Sequence, residues 1–235
     1  MKQFKFNRTL PSSIYFLSFD LAKKLTGWSL THVNMNDDNA NFKFIDGGLI
    51  NSNNFDNDSF YTSLYTAFTD VITKANDVSK RDGVPLIIIK ERLPNQNGPH
   101  STIATLQGLA SVHAIFDYAV EQSGINYYDK DGVHSTSVKS VFKKLARLDA
   151  NSTIDKCDIK NIINKMVENS NIVDTNISDS LAVVITLIFH KWNADIDEGL
   201  KELRKYKKKF KSDAKQKEID NKMQIISMMR IKEYL

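Results

Sequence analysis

The chain is poor in the residues that staple, break or anchor a fold. One of its 235 residues is cysteine, Cys157, so no internal disulfide can form; a reducing compartment, the cytoplasm, is expected. Four prolines and nine glycines are too few for a fibrous or low-complexity chain. The longest apolar run, residues 181–189, contains Thr186 and falls well short of the ~20 residues that cross a bilayer, so no membrane is expected as a partner. Residues 1–8 lack the continuous apolar stretch of a signal peptide. No repeat recurs at a useful period. The five histidines, His32, His100, His113, His134 and His190, show no metal-ligand spacing with one another or with Cys157, and read as ordinary surface or core residues. There is no Gly-x-Ser-x-Gly elbow and no Walker phosphate loop.

What is present suits a globular protein. Apolar residues make up 41% of the chain, enough for a substantial core, and the length fits one or two domains. The net charge of +4 is mild but uneven. Residues 200–235 hold twelve Lys or Arg and five Asp or Glu, which leaves the rest of the chain at −3. The densest part is Lys205, Tyr206, Lys207, Lys208, Lys209, Phe210 and Lys211. A basic run with interleaved aromatics suits contact with a phosphate backbone. It suits a solvated helical face equally well.

Hydrophobic periodicity outlines the elements. Residues 14–19 read as a buried strand, 27–33 as an alternating one, and 42–50 as a third, antiparallel to the second. Phe60, Leu64, Phe68, Val71 and Ile72 recur at helical spacing, which predicts an amphipathic helix over 58–80. The run 84–89 is typical of a strand buried on both faces. After a loop with Pro94, Gly98 and Pro99 come a helix over 102–122 and a short strand over 125–128. Helices are expected over 137–146, 155–168 and 178–192, with a basic helical tail from about 195. The order implies a five-stranded mixed α/β sheet with helices on both faces. The expected domains are 1–192 and a basic helical extension, 193–235.

Three acidic residues stand where chemistry tends to stand. Asp20 lies at the end of one buried strand and Glu91 at the end of another, and groups at such ends converge on a crevice. Asp179 opens an apolar helix, where it can act as a simple cap. Each alone says little. Together they are the oxygen-rich set that hard cations such as Mg²⁺ take, and two such ions can drive phosphodiester hydrolysis.

Several segments together resemble RuvC-type Holliday junction resolvases, of the ribonuclease H-like superfamily. The first is Phe19-Asp20-Leu21-Ala22-Lys23-Lys24-Leu25-Thr26-Gly27-Trp28-Ser29, an aspartate followed by a Thr-Gly step into the second strand. The others are Ile87-Ile88-Ile89-Lys90-Glu91, Leu106-Gln107-Gly108-Leu109-Ala110-Ser111-Val112 and Asp179-Ser180-Leu181-Ala182. Val138-Lys139 and Asp155-Lys156 resemble two lysine segments that approach the scissile phosphate. The resemblance covers about residues 14–191, and its strength is the order and spacing of short motifs.

The resemblance implies a ribonuclease H-like fold and paired nicking of four-way DNA junctions with two Mg²⁺ ions per site; Mn²⁺ can substitute. It gives Asp20, Glu91 and Asp179 as metal ligands, with Asp20 bridging, and Lys139 and Lys156 as phosphate-facing cations. The 106–112 helix contributes to dimerisation in the family, so a homodimer is implied. In the family an acidic or imidazole ligand often stands three residues before the closing aspartate. Here that position is Asn176, a neutral oxygen donor, with Asp174 as the nearest substitute. The lysines at 205, 207, 208, 209 and 211 would add contacts to DNA arms. Abundant Asn and Lys, and the extra tail, point to an AT-rich phage or mobile-element source. Other readings stay open: a nuclease of the same fold acting on flaps, forks or hybrids, a non-catalytic junction binder, or an actin-like ATPase with Asp46-Gly47-Gly48 as a phosphate loop.

Overall fold

The protein is described by a computed structural model that covers residues 10–35, 40–93, 102–149, 151–209 and 212–228. Three strands form an antiparallel meander: β1 (Ser13–Asp20), β2 (Leu25–Met35) and β3 (Ala40–Asn51). Two short 3₁₀ turns lead to α1 (Phe60–Asp82), and Gly83 ends that helix in the left-handed conformation. The chain then enters β4 (Leu86–Lys90), parallel to β1. α2 (Ile103–Ser123) returns it to β5 (Asn126–Tyr127), parallel to β4. There follow α3 (Ser135–Leu145), α4 (Lys156–Met166), β6 (Val167–Glu168), α5 (Thr175–Lys207) and α6 (Asp213–Met228).

The sheet order is β5-β4-β1-β2-β3-β6. It has six strands where the sequence predicts five. Val167 and Glu168, expected to finish a helix, instead pair in parallel with Phe42 and Lys43 at the β3 edge. A two-residue ladder leaves no periodicity to read. The loop holding Pro94, Gly98 and Pro99 lies outside the described residues.

Alternation along β1 and β4 divides the interior into two layers. Ile14, Phe16 and Ile89 face a core shared with α3, α4 and α5. Tyr15, Leu17, Phe19, Leu86 and Ile88 face the other, built from α1 and α2 around Leu64, Phe68 and Phe116. His113 of α2 is buried here, and burial, then the Lys90 charge, push it down to about 4, so it is a neutral core residue. Gly47 and Gly48 sit within β3, where the rings of Phe44 and Trp28 take the space of their missing side chains. Asp46-Gly47-Gly48 is therefore strand, with no phosphate loop.

The helix predicted to stop at residue 192 runs on without a break to Lys207. Ile188, Trp192, Ile196, Leu200 and Leu203 keep its buried stripe going. α6 packs back on it, with Ile219 buried and Lys207 Nζ 2.7 Å from both carboxylate oxygens of Asp220. The high local charge masked that stripe in the sequence. Lys205 lies 26 residues beyond Asp179 on α5, about 40 Å away at ~1.5 Å per residue.

The extension should therefore behave as part of the fold. Leu200→Ala is expected to cost about 2–5 kcal/mol in denaturant unfolding. An unchanged midpoint would mean that these residues hang free of the core.

Candidate active site

The site follows from strand parity and register. Ile14, Phe16, Ser18 and Asp20 share one face of β1, the face that α5 covers. Ile87, Ile89 and Glu91 share that face on the neighbouring strand. Phe19 pairs with Lys90, and the Glu91 amide donates to the Phe19 carbonyl at 2.9 Å. The Asp20 and Glu91 side chains therefore emerge side by side at the carboxyl ends of adjacent parallel strands.

Asp179 comes to them through a local device that the sequence displays without explaining. The Thr26 hydroxyl donates to the Ala22 carbonyl at 3.0 Å and accepts from the Ala22 amide at 3.1 Å, which closes the turn after Asp20. Gly27 is the strand partner of Asp20. A methyl built on it would stand 2.2 Å from the Asn176 carbonyl oxygen, so only glycine lets the first turn of α5 settle here. Small side chains continue the close approach. Ser18 and Ser29, hydrogen-bonded at 2.7 Å, lie on the sheet side; Ser178 and Ala182 are fully buried on the helix side. Asp174 caps α5 by accepting from the Asn176 amide at 2.7 Å. Asp179 lies one turn in.

Lys156 is the fourth member. It is the first residue of α4, held by a capping box in which Asp155 and Asp158 each accept from the other's backbone amide. Its ammonium is ion-paired with Asp179 Oδ2.

The electrostatics bear on what the site can hold. Burial first, then the hydrogen bond to Asp20 and the charges of Asp20 and Asp179, push Glu91 up to about 8. The upward shift favours the protonated carboxyl of Glu91, as donor to Asp20. Burial also raises Asp179 above the usual carboxylate range, against the opposing pull of Lys156. Burial alone would lower Lys156, but the bond to Asp179 and the charges of Asp179, Asp20 and Glu91 outweigh it and hold its pKa high. The cluster has more carboxylate than it can leave ionised, and one lysine as its only cation among these four groups. Such a donor set of hard oxygens fits a divalent cation. Among the described residues no three Asp, Glu, His or Cys side chains stand in closed ligand spacing: Glu91 bonds to Asp20, while Asp179 turns to Lys156.

The other residues singled out by sequence are placed as follows. Asn176 is in the first turn of α5, its backbone against Gly27. Asp174 acts on Asp179 electrostatically while serving as the cap. Lys139 is exposed on α3 and makes no ion pair among the described residues. Lys205, Lys208 and Lys209 are exposed far along the extension, Lys207 is paired with Asp220, and Lys211 lies outside the described residues. Sequence reasoning missed the roles of Thr26 and Gly27, although the Thr-Gly pair was visible. It also missed the pairing of Lys90 and Asp117, which lie behind Glu91 on a strand and a helix that no local pattern links.

Neither a protein-family model nor a curated protein sequence matches the chain. Solved structures do. Thermus thermophilus RuvC is similar over 74% of this chain and 92% of its own, with a TM-score of 0.52 and 11% identity. T. thermophilus RuvC in complex with Holliday junction substrate matches over the same shares, with a TM-score of 0.51 and 11% identity. The yeast mitochondrial Holliday junction resolvase Ydc2 is similar over 80% of this chain and 82% of its own, at 13% identity and a TM-score of 0.49. At these identities the likeness speaks to the fold: the chain has the ribonuclease H-like fold of the RuvC-type resolvases.

Two outcomes are expected. In metal-free protein Glu91 keeps its proton to about pH 8 when folded but releases it near its ordinary, lower value when unfolded. Its contribution is full below the unfolded pKa and is lost as pH rises through the folded one. The melting temperature of metal-free protein should fall between about pH 5 and about pH 9, and Glu91→Gln should remove much of that fall. A flat profile, or one indifferent to Glu91→Gln, contradicts the raised pKa of Glu91. Gly27→Ala should cost about 1–3 kcal/mol of stability and displace Asp179 from the other acids.

Proposed function

We propose that the chain is a divalent-metal-dependent endodeoxyribonuclease that resolves four-way DNA junctions by paired nicks. The observation that carries this reading is the meeting of Asp20, Glu91, Asp179 and Lys156 at the carboxyl end of the sheet, on a fold shared with RuvC. The fold and site support hydrolysis of a phosphodiester; the choice of branched DNA rests on likeness to proteins described as Holliday junction resolvases.

Asp20, Glu91 and Asp179 would hold Mg²⁺, two ions per site with Mn²⁺ as a substitute, and the Asn176 amide oxygen would add a neutral donor. When bound, such ions polarise the phosphate and lower the pKa of an attacking water. The chain's own residues do the rest. Glu91 would give up its proton where a cation is bound. Asp179 would then turn from Lys156, leaving the Lys156 ammonium to meet a phosphate oxygen and offset its growing charge. The capping box keeps Lys156 from drifting. Lys139, exposed on α3, would serve as a DNA-backbone contact. Lys205, Lys208 and Lys209 are too far from Asp179 to reach the cleaved bond and would hold a DNA arm.

The reading includes a homodimer. One side of α2 packs on the core through Val112, Phe116, Ala119 and Val120, while Ile103 and Tyr118 are exposed. By length and composition α2 is also apolar enough to cross a membrane, but its buried side belongs to the core. A second copy against the exposed side would set two sites for two nicks.

The test uses purified protein and a synthetic four-way junction with Mg²⁺. Cleavage is expected, and chelator should stop it. Asp20→Asn should lower the rate by roughly three orders of magnitude or more while junction binding stays near the wild-type level. Near wild-type nicking by that variant would remove the site assignment, and preferential cutting of flaps, forks or RNA–DNA hybrids would redirect the substrate.

A further inference from the structure

Directly behind Glu91 lies a buried charge that the reaction does not use. Lys90 and Glu91 are consecutive, so their side chains leave the sheet on opposite faces. Lys90 points into the core under α2 and is 3% exposed. Its ammonium is 2.5 Å from Asp117 Oδ1 on α2, and stands 5.5 Å from the ring centre of Tyr127 and 5.9 Å from that of Phe116. The Tyr127 hydroxyl donates to the same carboxylate oxygen at 2.8 Å. One oxygen thus ties β4, β5 and α2 together.

A core position of this kind is filled at lower cost by an apolar residue. Replacing a buried ion pair with well-packed apolar side chains is often neutral or stabilising, whereas removing one partner is costly. Here the Lys90 ammonium is buried while the Asp117 side chain is 40% exposed at the rim of the core, so the bond is better suited to fixing register than to adding stability. Here register needs fixing. α2 is apolar around most of its circumference: Val112, Phe116 and Val120 on the buried side, Ile103, Leu106, Leu109 and Ala110 elsewhere. Apolar burial alone does not select one rotation or one axial position for such a helix, but a single polar tie does. The backbone around Lys90 is held as well. Its carbonyl accepts from the Val133 amide at 3.0 Å, and Gly132, at φ +80°, passes so close that a methyl there would stand 2.6 Å from that oxygen.

We propose that Lys90, Asp117 and Tyr127 form a positioning cluster that locks the end of β4 to α2 and thereby sets where Glu91 presents its carboxylate. This rests on the reading of Glu91 as a metal ligand. The three residues touch no substrate; they act through Glu91.

The test is the triple variant Lys90→Met, Asp117→Leu, Tyr127→Phe, which replaces the cluster by apolar groups of similar size. Its melting temperature is expected within about 5 °C of wild type. Mn²⁺ binding, measured by calorimetry without DNA, should weaken roughly tenfold, with kcat for junction cleavage falling and KM for DNA unchanged. A folded triple variant with wild-type Mn²⁺ affinity overturns the inference alone. Wild-type protein that binds no Mn²⁺ overturns the reading of the site and the inference with it. If the triple variant does not fold, Asp117→Asn carries the same measurement: a weakening of roughly threefold is expected, and unchanged affinity in the folded protein overturns the inference.

Discussion

Asp20 and Glu91 leave adjacent parallel strands on the same face, half-buried and in contact. Two carboxylates so placed cannot both be ionised without compensation. The protein alone meets the constraint with one proton on Glu91 and with the Lys156 ammonium beside Asp179. On the proposed reading a divalent cation would take the place of both. The functional reading depends on this unresolved negative charge, held in place by the rigid end of a sheet.

The same end of the sheet explains why the fold is built as it is. α5 must bring a third acid to the site and also close the largest core layer. Gly27 and the small residues Ser18, Ser29, Ser178 and Ala182 let its first turns approach the sheet closely. Farther along, Trp192, Ile196 and Leu200 pack the same helix into the core, so the position of Asp179 is supported over many turns. On the opposite face the buried ammonium of Lys90 ties β4 to α2. The strand that carries Glu91 is thus fixed from both sides.

Much of this was legible in the sequence. The strands of the meander and the two carboxylate-ending strands stood out because their apolar runs are continuous and their ends acidic. Asp20, Glu91, Asp179 and Lys156 were recognisable through resemblance and do come together in space. The unread parts have physical causes. Lys139 and Lys156 were both read as phosphate-facing, Lys156 slightly ahead, since sequence does not say which lysine a capping box presents to Asp179. The continuation of α5 was hidden because charged residues crowd a stripe of only one apolar residue per turn. β6 is too short for any period to appear. The tie between Lys90 and Asp117 spans an interval that no local pattern bridges, and a lysine in an apolar strand gives no hint of its partner.

The central claim is that Asp20, Glu91 and Asp179 form one cation-binding centre. A crystal of the protein soaked in Mn²⁺ and measured at the manganese edge tests it most directly. The account predicts an anomalous peak with carboxylate oxygens of Asp20, Glu91 and Asp179 at about 2.0–2.3 Å, and Lys156 turned away from Asp179. A structure in which Mn²⁺ is absent from these residues at saturating concentration, with the Asp179–Lys156 pair intact, would contradict it.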